Sequence, residues 1–271
     1  MKIKSLFFVL TFFALQACNN YSKDENGSFP SQFFGGVTGN GDVIKQQRQV
    51  GSYSKISSKG SVDVVLTDGK VGNLTVEAES NLADFVETEV VENELQIKIK
   101  KNANINTHKG ITVYVAVNEL TSIKSSGSGD IIAEKKLSGS TLKISSAGSG
   151  DIKMNSLNYN DLTVSISGSG DFSSNNINAE KTKISVAGSG DVDAAGKVNY
   201  LIVSIAGSSD VKAGHLVANE VEVSISGSGN AEVNAQKTIS ASVSGSGNVG
   251  YTGSAAVTKF SVSGSGGINK M

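Results

Sequence analysis

The sequence is poor in the residues on which enzymes, disulfide-linked domains and nucleic-acid-binding domains depend. Its 271 residues include no tryptophan, one proline (Pro30), one arginine (Arg48), one cysteine (Cys18) and two histidines. A single cysteine excludes an internal disulfide framework, and a formal net charge of -1 gives no basic footprint for a nucleic acid. What remains is rich in glycine, serine and β-branched residues, a composition that favours short strands joined by tight turns.

Residues 1–18 have the pattern of a bacterial export signal. Lys2 and Lys4 precede an apolar run of ten residues, 6–15, which is too short to span a bilayer. The run leads into Leu-Gln-Ala-Cys ending at Cys18, which resembles the lipobox of bacterial lipoproteins. The resemblance implies cleavage before Cys18 and a lipid on its thiol, so we expect anchorage in a membrane. A plain secretory signal with a chance cysteine is the alternative.

Residues 19–50 are predicted to form a flexible tether. They are rich in Asn, Ser, Gly, Gln and Lys and show no sustained periodicity. Within them, Lys23-Asp24-Glu25 resembles a surface-export signal of lipoproteins in some Gram-negative bacteria, and an ordinary solvated charge cluster is the alternative. The expected location is the outer membrane, facing the cell surface or the periplasm.

The rest of the chain repeats itself about every 20 residues. Gly-Ser-Gly-Asp, or a close variant, begins at eight glycines that are 18 to 21 residues apart: Gly127, Gly148, Gly168, Gly188, Gly207, Gly227, Gly245 and Gly264. Such a period indicates stacked units that bury their apolar faces against one another.

Each repeat alternates apolar and polar residues around its first glycine, taken as position zero. Positions -6, -4 and -2 are mostly apolar, as in Leu162, Val164 and Ile166, and further apolar residues follow at +4, +6 and +9 or +10. Strict alternation predicts strands with one buried face. We therefore predict an all-β fold, a β-solenoid resembling a parallel β-helix, with one coil per repeat and about 4.8 Å between coils.

The Gly-Ser-Gly-Asp segments are predicted to be turns. Glycine adopts φ > 0 without steric cost, so we expect the glycines to supply that conformation. We expect the aspartates to accept hydrogen bonds from nearby backbone N–H groups. The residues given this structural role are Gly127, Gly129, Asp130, Gly148, Gly150, Asp151, Gly168, Gly170, Asp171, Gly188, Gly190, Asp191, Gly207 and Asp210.

Residues 51–271 are predicted to form one domain, with the regular repeats in 121–271. Residues 51–120 also contain alternating apolar runs, and 60–63, Gly-Ser-Val-Asp, resemble a degenerate turn. We expect 51–120 to form irregular first coils that close the N-terminal end of the core. A separate small β-domain is the alternative.

These repeats, preceded by Val62-Asp63-Val64 and Leu95-Gln96-Ile97-Lys98-Ile99, resemble the head GIN domain family of auto-transporter adhesins. The resemblance covers about residues 51–271. It implies an exported β-solenoid, often a lipoprotein of Gram-negative bacteria, and it implies no catalytic residue and no cofactor. The expected function is therefore a non-enzymatic envelope lipoprotein, either a surface adhesin or a structural module.

The repeated aspartates are the most obvious candidate ligands. Stacked carboxylates repel one another by about 0.9 kcal/mol in water, and calcium could relieve this repulsion, as it does in other β-solenoids. However, Asn230 and Asn248 replace aspartate without breaking the repeat, which favours turn capping. No metal site is predicted, and a calcium-binding envelope protein is kept as an alternative.

The serines at position -3 are predicted to form a hydroxyl stripe on the outer face, which would suit a glycan or ice, or would simply pack neatly. A polysaccharide lyase is disfavoured because it needs a basic group and differentiated acids. His108 and His215 have no acidic partner nearby in sequence, and no stretch of aromatic-bearing turns lies on one face, as a sugar-binding surface would favour. The expected partners are a membrane through the lipid anchor and a glycan or another surface protein. The unprotected last repeat predicts end-to-end or edge-mediated self-association.

Overall fold

A computed structural model of the protein describes residues 36–271. Strands account for 70% of these residues and form a parallel β-solenoid of about seven turns, which confirms the predicted fold. The helical structure in this part is one 3-10 turn, Ala83–Phe85, and no helix described here could span a membrane. The predicted signal, Cys18 and residues 19–35 lie outside the described residues.

Nine strands form the N-terminal part of the domain. They are β1 (Val37–Thr38), β2 (Val43–Gln49), β3 (Lys55–Gly60), β4 (Asp63–Thr67), β5 (Asn73–Glu79), β6 (Val86–Val91), β7 (Glu94–Ile99), β8 (Ile105–Asn106) and β9 (Thr112–Ala116). Parallel pairing joins β7 to β3 and β9 to β4. Antiparallel pairing joins β2 to β5, β5 to β9 and β6 to β7, so antiparallel strands cover this end of the parallel stack.

Ten strands form the regular part of the solenoid. They are β10 (Ser122–Gly127), β11 (Ile131–Ser146), β12 (Ile152–Ile166), β13 (Phe172–Val186), β14 (Val192–Gly207), β15 (Asp210–Gly227), β16 (Asn230–Gly245), β17 (Asn248–Thr252), β18 (Ala256–Gly264) and β19 (Gly267–Lys270). Equivalent repeat positions face one another in neighbouring coils, as in the ladder of Ile144, Val164 and Ile184. Because β10 pairs with β3 and β11 with β4, residues 51–120 continue the same stack.

The apolar positions of the repeat line a narrow core. Leu162, Val164 and Ile166 are 1%, 0% and 1% exposed, and one buried cluster extends from Tyr53 to Tyr251. Three inward positions carry polar residues whose hydroxyls have no hydrogen-bond partner among the described residues: Ser146, Ser174 and Thr182. Alternation with a period of two therefore placed the inward face correctly in the regular repeats.

The C-terminal part of the predicted tether belongs to the folded domain, which corrects the boundary at residue 50. The compact unit begins at Gly36, and β2 pairs antiparallel with β5 over seven residues. Arg48, on β2, donates to the carbonyl oxygens of Val86 at 2.6 Å and Ala83 at 2.8 Å. Most of β2 is exposed, so its sequence lacks the alternation that marks a half-buried strand.

Candidate functional site

The turn glycines of successive coils are stacked so closely that an added Cβ would clash with the backbone of the previous coil. A Cβ on Gly148 would lie 1.9 Å from the carbonyl oxygen of Gly127, and one on Gly150 would lie 2.1 Å from that of Gly129. The Gly127 oxygen also accepts the N–H groups of Ser149 at 2.9 Å and Gly150 at 3.2 Å. Each turn is thus bonded to the next turn through backbone groups that approach closely only because both residues are glycine.

The predicted reason for the glycines, a positive φ, is wrong for the first turns. Positive φ angles of 134°, 132° and 129° occur in later turns, at Gly227, Gly245 and Gly264. The following turn glycines have no positive φ: Gly127, Gly129, Gly148, Gly150, Gly168, Gly170, Gly188 and Gly190. The turn at Gly207 separates the two groups and carries the fully buried Ser209 in place of its second glycine. Close backbone approach, rather than φ, is what the first turns require.

The aspartates join successive coils. Oδ1 of Asp130 accepts the backbone N–H of Asp151 at 2.8 Å, and the same bond recurs coil by coil as far as Asp210. Asp63, in the degenerate turn, begins this aspartate ladder by accepting the N–H of Asp130 at 2.9 Å. The donor N–H was expected nearby in the sequence, and it lies instead in the next coil, about 20 residues further along the chain.

Hydrogen bonds and one lysine offset the repulsion along the aspartate ladder. Lys153 Nζ lies 3.0 Å from Oδ2 of Asp151 and 3.6 Å from Oδ2 of Asp130. The pKa of the Asp151 carboxyl is lowered, mainly by the hydrogen bond from the N–H of Asp171 and also by Lys153, while burial acts in the opposite direction. No group of three metal-ligating side chains occurs within residues 36–271. Because each Oδ1 accepts a backbone N–H of the next coil, the aspartates have the geometry of hydrogen-bonding caps between coils.

A stripe of serines runs along the outer face, as the repeat predicted. These serines pair in register from coil to coil: Ser145, Ser165, Ser185, Ser204, Ser224, Ser242 and Ser261. A second set of ladders, made of asparagine amides, was not predicted. Asn178 donates to Asn158 at 2.6 Å and Asn219 to Asn199 at 2.8 Å. The recurrence of asparagine 20 residues apart was the signal that could have found them.

An outer groove of about 700 Å³ crosses several coils and contains an exposed aromatic ring. Tyr200, 44% exposed, lies between Lys181 of one coil and Glu220 of the next. The remaining lining combines apolar and hydroxyl-bearing residues with three carboxylates, those of Asp161, Glu180 and Glu222. The sequence contains no stretch of aromatic-bearing turns on one face, and Tyr200 is a single aromatic residue within a strand, at a repeat position where the adjacent coils carry Lys181 and Glu220.

One buried carboxylate fastens the start of the domain. Glu79 is 0% exposed and accepts the N–H of Gly41 at 2.7 Å, the hydroxyl of Thr107 at 2.8 Å and the N–H of His108 at 3.0 Å. Burial alone would raise the pKa of Glu79, but these hydrogen bonds and the neighbouring His108 lower it. The carboxylate thus joins the segment before β2 to the loop between β8 and β9.

Stacked turns, an unbroken narrow core and parallel pairing place the chain among the β-solenoid repeat proteins. Residues 52–255 match the family model described as "Putative auto-transporter adhesin, head GIN domain". The chain belongs to this family, which confirms the resemblance noted in its repeats. The family indicates a surface or exported protein with a non-enzymatic, adhesin-like role.

Crystal structures of bacterial proteins share the fold. A "putative lipid binding protein" from Parabacteroides distasonis ATCC 8503 is 28% identical with a TM-score of 0.80, and covers 87% of this chain and 99% of its own. A "putative adhesin" from Bacteroides fragilis NCTC 9343 is 26% identical with a TM-score of 0.67, and covers 87% and 100%. A third, a "putative adhesin" from Parabacteroides merdae ATCC 43184, is 24% identical with a TM-score of 0.82, covers 87% and 98%, and shows the fold alone. No curated protein matches the chain.

Residues 36–271 form a compact unit of their own. The crystallised relatives cover 87% of this chain and almost all of their own length. We therefore treat residues 36–271 as the domain to express for measurements in solution.

Proposed function

We propose that the protein is a lipid-anchored adhesin of the bacterial envelope, a passive rod that presents a repeated surface. The observation that carries the proposal is the equivalence of successive coils, which repeat the same serines and the same hydrogen-bonded aspartates. Acid–base catalysis needs groups held in different environments. Equivalent groups repeated along a rod instead suit extended contact with another surface.

In this proposal Cys18 carries the lipid anchor and residues 19–35 form the tether. These 17 residues reach at most about 60 Å when fully extended. A tether of this reach would let the rod stand clear of the membrane that holds the lipid. Lys23-Asp24-Glu25, which begins five residues after Cys18, supports export to the outer face of the outer membrane.

An adhesion assay with a competitor tests this function. Cells that carry the protein should adhere better than a deletion strain to mucin glycans, to extracellular-matrix proteins or to neighbouring bacteria. Added soluble domain, residues 36–271, should reduce that adhesion by occupying the same sites. Equal adhesion of both strains to all these surfaces would contradict the adhesin function and leave a structural module.

A second candidate function is glycan binding in the outer groove, favoured by Tyr200. A sugar ring could pack its C–H face on the exposed tyrosine while neighbouring carboxylates accept hydrogen bonds from its hydroxyl groups. Tyr200→Ala should abolish binding of the domain on a glycan array, whereas Ser224→Ala, on the outer face beyond the groove lining, should not. Equal glycan binding by both variants would remove the groove from consideration.

A further inference from the structure

The C-terminal end of the core is open. β18 pairs with β16, no other described strand pairs with β18 along its length, and all nine of its residues are exposed. Val257, Phe260 and Val262 are 48%, 37% and 45% exposed. They stack on buried residues of the previous coil, Ile239, Ala241 and Val243. Three core ladders therefore end in uncovered apolar side chains beside a free strand edge.

At the opposite, N-terminal end of the stack, antiparallel strands cover the core. Antiparallel β5 lies across β9 there, and its inward residues Leu74, Val76 and Ala78 are 4%, 0% and 1% exposed. The chain enters the domain at this covered end, where β1 pairs with β8. If the chain is anchored by a lipid before residue 36, as the proposed function requires, the open end is the end of the solenoid that lies farthest from the tether.

A second copy of β18 is the occupant that matches this edge. Throughout the solenoid, each strand pairs with a strand of the next coil that carries like residues at the same positions. Antiparallel pairing of two β18 strands about Ser261 would set Phe260 opposite Val262 of the second copy on the inward side. On the outward side, Lys259 would face Ser263 of the second copy, so no like charges would meet. Phe260 is already held edge-to-face by Tyr251, with ring centroids 5.6 Å apart.

We propose that the protein self-associates tip to tip through β18, forming a two-fold dimer in which the two open cores cover one another. The arrangement is isologous and closes on itself, because the same edge serves both copies. Head-to-tail growth would need β18 to pair with β2, the mostly exposed outermost strand at the other end, whose residues lack the alternation of the coils. Copies anchored on two facing membranes could pair in this way, which would make the adhesion homophilic.

The oligomeric state of residues 36–271 tests the proposal. Sedimentation velocity over a range of concentrations should show a monomer–dimer equilibrium for the unaltered domain. The double variant Phe260→Lys and Val262→Lys places unpaired charges in the interface and should raise the dimer dissociation constant by more than about tenfold. Ser224→Lys, which adds a lysine to the outer face of an interior coil, is the matched control and should leave the constant unchanged.

A cysteine tests the register of the two strands. Residues 36–271 contain no cysteine, so Ser261→Cys introduces a single thiol that would face its own copy within disulfide reach. It should cross-link under mild oxidation much faster than Ser224→Cys. If the lysine variant dissociates the dimer but Ser261→Cys does not cross-link, the register is wrong and the interface stands.

A domain that stays monomeric at all concentrations, or a dimer that survives both lysines, would overturn the proposal. Circular dichroism of the lysine variant separates loss of pairing from loss of folding. Its spectrum should match that of the unaltered domain, because the exposed residues of β18 contribute little to the core. The adhesin function fails separately, in the assay with the deletion strain. A monomeric domain on an adhesive cell would therefore reject homophilic pairing alone.

Discussion

Replacing Gly168 by alanine should destabilise the solenoid strongly. The new Cβ would lie 1.9 Å from the carbonyl oxygen of Gly148 and 2.9 Å from its carbonyl carbon. That oxygen also accepts the N–H groups of Ser169 at 3.0 Å and Gly170 at 3.2 Å. This clash is relieved only if the two coils separate by on the order of 1 Å or more, to van der Waals contact distance. Such a separation strains the two hydrogen bonds. Overpacking of this kind costs about 3 kcal/mol.

Gly214→Ala is the matched control in the same solenoid. A Cβ there would meet nothing within 4 Å, and Gly214 has no positive φ. Alanine at such a position stabilises a protein by about 0.4–1 kcal/mol, because the unfolded chain loses conformational freedom. The two substitutions are chemically identical and should have opposite effects.

Thermal unfolding of residues 36–271, followed by circular dichroism, measures both effects. For a domain of this size 1 kcal/mol shifts Tm by about 2–4 °C. Gly168→Ala should therefore lower Tm by roughly 6–12 °C, while Gly214→Ala leaves it equal or slightly higher. If the two variants melt together, close stacking of the turn glycines is not what the repeat requires.

Three further substitutions probe the core, the aspartate ladder and the start of the domain. Ile166→Asp places an unpaired charge at a site that is 1% exposed and should abolish folding; a soluble, β-rich product would show that the inward register is wrong. Asp151→Ala removes the acceptor of the Asp171 N–H and should cost about 1 kcal/mol, whereas Asp151→Asn retains an acceptor and should melt near the wild type; equal losses would refute the capping role. The lowered pKa of Glu79 means that its contribution is complete above its unfolded pKa of about 4.3 and is lost as pH falls through the folded value. Protection factors of the amides in residues 36–42, which correct exchange for its intrinsic pH dependence, should fall over that range, and Glu79→Gln should remove this fall; protection factors that stay constant with pH in the wild type would contradict this.

Local pattern sufficed for the regular coils because each is built from the same buried positions. Leu162 and Val164 alternate with polar residues, and the next coil repeats the pattern, so burial followed from the sequence. The reason for Gly168 did not follow, because a glycine required by a neighbouring coil looks the same in sequence as one required by its own φ.

The covering strands at the N-terminal end were harder to predict. β2 is mostly exposed and pairs with β5, which lies about 30 residues further along the chain. The hydrogen bonds of Arg48 and Glu79 join segments that are 28 to 40 residues apart. Contacts of this range depend on how the chain folds back, and neither composition nor periodicity encodes them.

The groove at Tyr200 was missed for a related reason. A single tyrosine among polar residues gives no periodic signal, and its neighbours Lys181 and Glu220 come from other coils. Only the register of the stack brings them together. The candidate site was therefore predictable where it repeats, in the turns and the serine stripe, and unpredictable where one coil departs from the pattern.

Protease shaving of intact cells tests most directly whether the protein is a surface-displayed, lipid-anchored rod. The wild type should be compared with a Cys18→Ala strain, using a periplasmic marker to confirm that the cells are unbroken. The account predicts that protease removes the solenoid from intact wild-type cells and that the Cys18→Ala protein is found unanchored. A wild-type solenoid that stays protected until the outer membrane is opened would contradict surface display, and a Cys18→Ala protein that remains membrane-bound would contradict the lipid anchor.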